Sequence, residues 1–582
     1  MNLRQELDQL ISGRGSVVED RRLRMLFDIT WRYRLAESPE YATNTGAAGF
    51  NHLWTDNSLE AIERRNSELV LQTQALRSID SSQLGASDTL NHELFSWNLN
   101  NAMEGRQFRS ELLPLAQATG PQSTIPHILG LMPAFTVPHY EDILSRIASV
   151  PQVIDQTIAL LDEGVASGIV APRIVLKDVF GQIESLAVHV EDSPLLRAFR
   201  EFPTSLADRE RKRLTSQAYA ALTDRAVPAF RRFYEYMTHT YVGACRETIA
   251  MSDLPDGDQW YDYRVRTYTT TELTAVEIHD IGIQEVQRIQ AEMQQVIDES
   301  GFVGSFAEFT DYLRTDPKFF FSSAEELIVA YRDIAKRADP ELPKLFGRLP
   351  QLPYGVIPIP DYSAQSATTA YYQPGSLEAG RPGYFFANTY DLASRPRWEM
   401  EALSLHEAVP GHHLQIALAQ ELGDIPDFRR YGRYTAFTEG WGLYAESLGD
   451  EMGFYTDPYS RFGKLTYEMW RAVRLVVDTG MHSLGWSRDR AIEFFKTRTS
   501  KPEHDIRVEI DRYISWPGQA LAYKIGELKI KDLRSFAAGK LGAGFDIRKF
   551  HDMLLGNGAL PLDVCERLMT EWVAREADAG AG

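Results

Sequence analysis

Hydrophobic residues recur at three- and four-residue steps along most of this chain, the spacing that lays one apolar stripe along one face of an α-helix. Over residues 141–161 the stripe is Ile143, Leu144, Ile147, Val150, Ile154, Ile158 and Leu161. Pro151 falls inside it, and proline suits the first turn of a helix, so a new helix is predicted to begin there. The same periodicity predicts helices over 206–237, 271–300, 324–337, 397–419, 434–448, 460–484 and 511–536. No fixed-period repeat or low-complexity tract is seen. Residues 350–395 depart from the pattern, being rich in Pro, Gly, Tyr and Thr. Within them, Tyr371-Tyr372-Gln373-Pro374 and the run from Gly383 to Tyr390 have strand character. Two readings fit: a small hairpin covering a helical core, or an edge strand beside a cleft to which an extended peptide adds as another strand.

The helix predicted over 397–419 carries the chemistry. Glu399 and Glu401 in its first turns suit the positive end of the helix dipole. It continues His406-Glu407-Ala408-Val409-Pro410-Gly411-His412-His413, so three of the chain's 13 histidines lie in one short run. His-Glu opens the motif H-E-x-x-H, in which two histidines one turn apart bind zinc and the Glu is the general base. Here the position four after His406 is Pro410, which cannot bind a metal. On an ideal helix His412 is rotated roughly 120° from His406, and His413 is in phase but ~10 Å further along the axis. Neither closes around an ion whose bonds to nitrogen are about 2.0–2.1 Å. Pro410 changes this, because its ring clashes with the His406 carbonyl and it has no N–H for the helical ladder. Gly411 tolerates unusual dihedrals, so the helix is expected to bulge or break. A bulge absorbing two residues puts His412 in the second ligand position, and one absorbing three puts His413 there; the shorter bulge and His412 are favoured. The competing reading ends a helix at Pro410-Gly411 and leaves the histidines exposed.

A zinc site needs a third protein ligand and an open position. The run Phe437-Thr438-Glu439-Gly440-Trp441-Gly442-Leu443-Tyr444-Ala445-Glu446 offers Glu439 and Glu446. They share a helix face two turns apart, so one ion would use one of them; otherwise both are solvated surface acids. Asp478 and His482 are neighbours four apart on an apolar helix. His482 is either a core histidine held by Asp478 or a donor to an oxyanion, while Asp478 is a candidate to orient a metal-bound histidine. Tyr523 follows Pro517-Gly518-Gln519, where a break could aim its phenol at a cleft, and a phenol neutral at pH 7 suits oxyanion stabilisation. Tyr513 and Tyr523 could equally complete the core. Arg474, Arg512 and Lys524 are candidate anchors for a peptide's terminal carboxylate, or ordinary salt-bridge partners.

Composition narrows the class. The 582 residues allow several domains, and 44% hydrophobic with 24% charged residues is ordinary globular usage. A formal charge of −20 opposes nucleic acid and anionic membrane surfaces as partners. Cys245 and Cys565 are the only cysteines, too few for a disulfide framework or a thiolate cluster, which leaves a zinc site to His and carboxylate ligands. No apolar run reaches ~18 residues and no signal-type run follows the amino terminus, so a soluble cytoplasmic protein is expected. Oligomeric state is not legible.

The motif H-E-x-x-P-G-H-H, followed by E-G-W-x-x-Y-x-E, resembles the bacterial domain-of-unknown-function family 885. Its members are similar to helical gluzincin peptidases related to thimet oligopeptidase and angiotensin-converting enzyme. The likeness continues through Arg471–His482, Arg512-Tyr513 and Pro517–Gly526. Glu439-Gly440-Trp441 resembles the Glu-Gly-Phe around the third ligand of many zinc aminopeptidases, which implies Glu439 rather than Glu446. The resemblance implies a mainly α, large bilobed fold with a deep cleft and a small β element beside the metal. A helical lobe over 1–250 would cover the cleft and a catalytic lobe over 251–582 would hold the site, in one cooperative unit. It implies a zinc metallopeptidase-like protein, and the residues are read accordingly: His406, His412 and Glu439 are expected to bind Zn²⁺, Glu407 to be the general base, and Tyr523, alone or with His482, to stabilise the oxyanion. The strand from Gly383 to Tyr390 would align an extended peptide substrate. The rival readings are a metal-dependent amidase or esterase on small molecules, and a catalytically inactive helical binding protein.

Overall fold

The predicted helices form, and they break where proline and glycine interrupt the sequence. The stripe over 141–161 is split between helices Val137–Ala148 and Val150–Ser167, the second with Pro151 in its first turn. The segment 511–536 is likewise two helices, Glu503–Ser515 and Ala522–Leu541. Between them Pro517 lacks an N–H and Gly518 adopts φ +81°, a left-handed conformation that glycine accepts without penalty. The computed structural model describes residues 3–581 except 14, 16, 189, 190, 361–363, 365, 366, 378 and 379. The fold is mainly α with one small sheet. Among the described residues no helix is long and apolar enough to cross a membrane.

The chain divides into two compact units. One comprises Met1–Ile249, Asp253–Asp256 and Pro426–Phe428. Its helices close over apolar and aromatic residues such as Phe27, Phe95 and Phe428, whose ring centroids lie 4.9–5.1 Å apart. Arg146 is fully buried there; its Nε donates to the Leu53 carbonyl at 2.9 Å and its guanidinium lies over the Trp54 ring.

The other unit comprises Ala250–Ser252, Gly257–Ile425 and Arg429–Gly582, and it contains every residue of the predicted site. Its elements used below are α1 (Ala275–Glu299), α2 (Ala324–Ala338), β1 (Tyr354–Pro358), β2 (Ala370–Gln373), β3 (Gly383–Ala387), α3 (Met400–Glu407), α4 (His412–Gln420), α5 (Thr435–Ser447), α6 (Pro458–His482), α7 (Glu503–Ser515) and α8 (Ala522–Leu541). A capping box at Thr274 and Glu277 starts α1, which packs along α6. Asp457 caps α6 by accepting from the N–H groups of Tyr459 and Ser460. Lys524 of α8 is fully buried, and its ammonium meets Glu285 of α1, Glu468 of α6 and Glu527, at 2.9, 2.7 and 2.6 Å. A buried cation needs such partners, so Lys524 is a fastener of three helices and not a substrate anchor. α5 and α8 cross closely because Gly440 faces Gly526, where a Cβ would lie 1.9 Å from the Ala436 carbonyl oxygen.

The sheet order is β1-β3-β2, with β1 parallel and β2 antiparallel to β3. The run beginning at Gly383, expected to present a free edge to substrate, is therefore the central strand. Its backbone is paired on both sides, and β1 and β2 are the edge strands, with β2 the one that borders the cleft.

Candidate metal centre

Helix α3 ends at Glu407, because Pro410 cannot continue its ladder. Ala408 leaves the helical region at φ −96°, ψ −117°, and the helix resumes at His412. Gly411 presses against the end of α3, where a Cβ would lie 1.9 Å from the His406 carbonyl oxygen and 2.4 Å from that of Leu405. No other residue type fits that approach. The turn is clamped from α5, where Trp441 Nε1 donates to the Pro410 carbonyl at 2.8 Å. The consequence is a short reversal that brings the His406 and His412 rings to 4.6 Å between centroids.

Glu439 of α5 completes a three-residue group. Its Oε2 lies 3.4 Å from His412 Nε2 and 3.8 Å from His406 Nε2. One ligand atom from each residue falls within 4.8 Å of the others. Ligands bonded to a tetrahedral zinc at ~2.0–2.2 Å stand roughly 3.4 Å apart, so the group fits such an ion. Two imidazoles and one carboxylate are also the donor set of open catalytic zinc sites. The electrostatics agree. Burial alone would lower the His406 pKa, but the Glu439 and Glu446 carboxylates beside it override burial and lift it to about 9. Burial alone would raise Glu439, yet the two imidazoles hold its carboxyl well below the usual carboxylate range. Where the three converge, positive charge is stabilised.

The remaining predicted residues separate into those at the site and those outside it. Glu446, two turns beyond Glu439, does not meet both histidines; its Oε1 accepts from His406 Nδ1–H at 2.8 Å. It fixes the tautomer and ring orientation of His406, the task that sequence reasoning offered to Asp478. Asp478 is instead a buried acceptor for Tyr261 Oη–H at 2.7 Å and Gly518 N–H at 3.0 Å. His482 is fully buried: Met251 N–H donates to its Nδ1 and its Nε2–H donates to the Tyr513 carbonyl. Both ring nitrogens are spent in the core, so the oxyanion role expected of His482 is withdrawn, and its partners are not Asp478. His413 points the other way from His412, sharing a 2.8 Å hydrogen bond with Tyr372 Oη and packing on Tyr354, and burial pushes its pKa down to about 4.

The three-residue group opens onto a cleft of about 310 Å³. Glu407 borders it, as do Tyr523 and the segment from Thr368 to Tyr372 that leads into and through edge strand β2. Tyr523 Oη accepts from Gln519 Nε2 at 3.4 Å, and its ring lies under the Arg474 guanidinium at 4.4 Å. Sequence reasoning missed Tyr467, a cleft residue with a buried hydroxyl, because a tyrosine on an apolar helix looks like core.

A family model described as "Bacterial protein of unknown function (DUF885)" matches residues 39–569. The chain belongs to the DUF885 family. Solved structures similar to this DUF885 chain share its fold. A chain from Colwellia psychrerythraea, provisionally described as a lipoprotein, aligns with TM-score 0.91 at 26% identity, covering 96% of this chain and 100% of its own. A second, from Shewanella oneidensis and provisionally described as a lipoprotein of unknown function, aligns with TM-score 0.67 at 16% identity, covering 94% and 99%. Those descriptions give the cytoplasmic expectation no support. An oligoendopeptidase F-like chain from Bacillus anthracis aligns at TM-score 0.26 and 10% identity, too distant to bear on this DUF885 chain. No curated protein matches it.

Proposed function

We propose that this chain is a zinc-dependent hydrolase that cleaves peptide bonds. The observation that carries the reading is the convergence of His406, His412 and Glu439 on a cleft that Glu407 also borders. His406, His412 and Glu439 would hold the ion. When bound, zinc supplies a Lewis acid that polarises a scissile carbonyl and brings water towards ionisation near neutral pH. The Glu407 carboxylate accepts the proton of the attacking water and hands it to the leaving nitrogen. Tyr523 Oη donates to the oxygen that gains charge as the carbonyl is attacked. The outer edge of β2 takes an extended peptide as a further strand, pairing with its N–H and C=O groups. Glu446 holds His406 in register throughout.

Metal analysis of protein purified without chelator is expected to give one zinc per chain. Digestion of a peptide library, read by mass spectrometry, is expected to give cleavage that chelation abolishes and zinc restores. Cleavage of small amides or esters with peptides left intact would move the reading to an amidase or esterase. A metal-free protein without hydrolytic activity after zinc addition would overturn it.

A further inference from the structure

One face of α6 contributes Tyr467, Arg471 and Arg474 to the cleft, at helical spacing that stacks them on successive turns. None is more than 5% exposed. Each nevertheless has a buried polar atom without a hydrogen-bond partner: Tyr467 Oη, Arg471 Nε and Arg474 Nη1. Buried donors are almost always satisfied, so three unmatched donors on one wall of one cleft describe a site for an acceptor.

Their other donors are committed. Arg471 Nη1 donates to the Tyr467 carbonyl at 3.3 Å, and its Nη2 lies 3.4 Å from Glu446 Oε1. Arg474 Nε donates to Tyr513 Oη at 2.7 Å and its Nη2 to Glu509 Oε2 at 3.2 Å. Among the described residues, Arg471, Arg474 and Arg512 on this wall meet only two carboxylates, Glu446 and Glu509, while Glu407 and Glu439 line the same cleft near the histidines. Guanidinium donors beside a phenol are the partners of a carboxylate.

We propose that Tyr467, Arg471 and Arg474 bind the C-terminal carboxylate of a peptide, so that cleavage is directed to the C-terminal end of the substrate. The proposal rests on the zinc peptidase reading. Arg471 Nη2 and His406 Nδ1 both meet Glu446 Oε1, at 3.4 and 2.8 Å, which ties this wall to the three-residue group.

The test uses zinc-loaded Glu407→Gln protein, so that binding is read without turnover. Three probes are compared by calorimetry: acetyl-tetraalanine with a free C-terminus, its C-terminal amide, and an amide of the same length with one internal Glu. The free acid is expected to bind about tenfold or more tightly than either amide, the range that loss of a charge-assisted hydrogen bond produces. Adding Arg474→Gln should bring acid and plain amide to within about threefold, with zinc content unchanged. Should that variant fail to fold, Tyr467→Phe is expected to weaken the acid selectively and leave the amide alone. Equal binding of acid and amide, or a preference that survives both substitutions, would overturn the proposal. So would an internal-Glu amide matching the acid, because the carboxylate would then come from a side chain. Wild-type protein separates the two readings. Carboxylate-selective binding without any cleavage would sink the peptidase reading alone, and cleavage of amide and acid alike would sink only the anchor.

Discussion

Glu446 offers a way to weaken the proposed metal centre without altering any of its three proposed ligands. Its side chain is 2% exposed and that of His406 is 3% exposed, so the 2.8 Å bond between them lies where no solvent replaces a lost partner. With Nδ1–H committed to Glu446, Nε2 is the His406 nitrogen that faces Glu439 and His412. Glu446→Gln keeps a carbonyl acceptor of the same reach but removes the charge, and Glu446→Ala removes the acceptor. Loss of such an outer partner weakens metal affinity about 10–100-fold, or roughly 1.4–2.8 kcal/mol. We expect Gln near the lower figure and Ala near the upper. Ala carries a second cost, because Arg471 Nη2 would lose its contact at 3.4 Å and stay buried, and breaking a buried pair costs about 3–5 kcal/mol. The two effects are separable. Competition with a chromophoric chelator reports zinc affinity, and thermal unfolding of metal-free protein reports the fold. A Gln variant that unfolds like wild type but binds zinc about tenfold more weakly supports the orienting role. Zinc affinity within twofold of wild type in a folded Gln variant would refute it.

Three further outcomes follow from the same geometry. Glu407→Gln should retain full zinc occupancy and lose about 10²–10⁴-fold in kcat, measured on a peptide that wild type cleaves; undiminished turnover removes Glu407 as the base. Gly442→Ala places a Cβ 2.7 Å from His406 Cε1 and 2.9 Å from its Nε2, so it should cost about 1–3 kcal/mol in chemical denaturation and lower zinc content together. A variant that keeps both intact contradicts the packing described. Burial raises the Asp478 pKa from 3.8 to about 7, so the unfolded chain gives up this proton first and stability is lost as pH rises from about 4 to 7, by roughly 4 kcal/mol at most. Asp478→Asn lacks that slope, so its unfolding midpoint relative to wild type should climb between pH 5 and pH 8; a falling difference would show the sign to be wrong.

What could be read from the sequence was whatever depends on spacing along one segment. Helices, their proline breaks and the clustering of histidines around Glu407 are of that kind. The preference for His412 over His413 could be stated but not decided there, since it turns on how far the chain reverses after Pro410. That distance is set by Gly411 closing on the Leu405 and His406 carbonyls and by Trp441 gripping Pro410 from another helix. The fate of His482 was equally hidden: an apolar helix carries a core histidine and a cleft histidine with the same pattern, and Met251 and Tyr513, which take its nitrogens, are remote in sequence. The central position of β3 depended on β1, a strand that sequence pattern did not pick out.

The run from Glu439 to Glu446 explains why the motif was nonetheless recognisable. Within one stretch of α5, Glu439 meets both histidines, Trp441 clamps the turn between them, Gly442 leaves room for the His406 ring, and Glu446 holds that ring from behind. Four separate tertiary requirements are met by residues at fixed intervals on one helix, so they leave a contiguous string in the sequence. The proposed carboxylate wall on α6 has the same form. Tyr467, Arg471 and Arg474 lie one turn apart, and Arg471 reaches Glu446 from the next helix. On this view Arg471 connects substrate anchor and metal centre through a single carboxylate. A change at Arg471 should therefore disturb zinc affinity and C-terminal selectivity together, whereas Arg474→Gln should disturb selectivity alone. Zinc affinity that fell as far in Arg474→Gln as in Arg471→Gln would break that link.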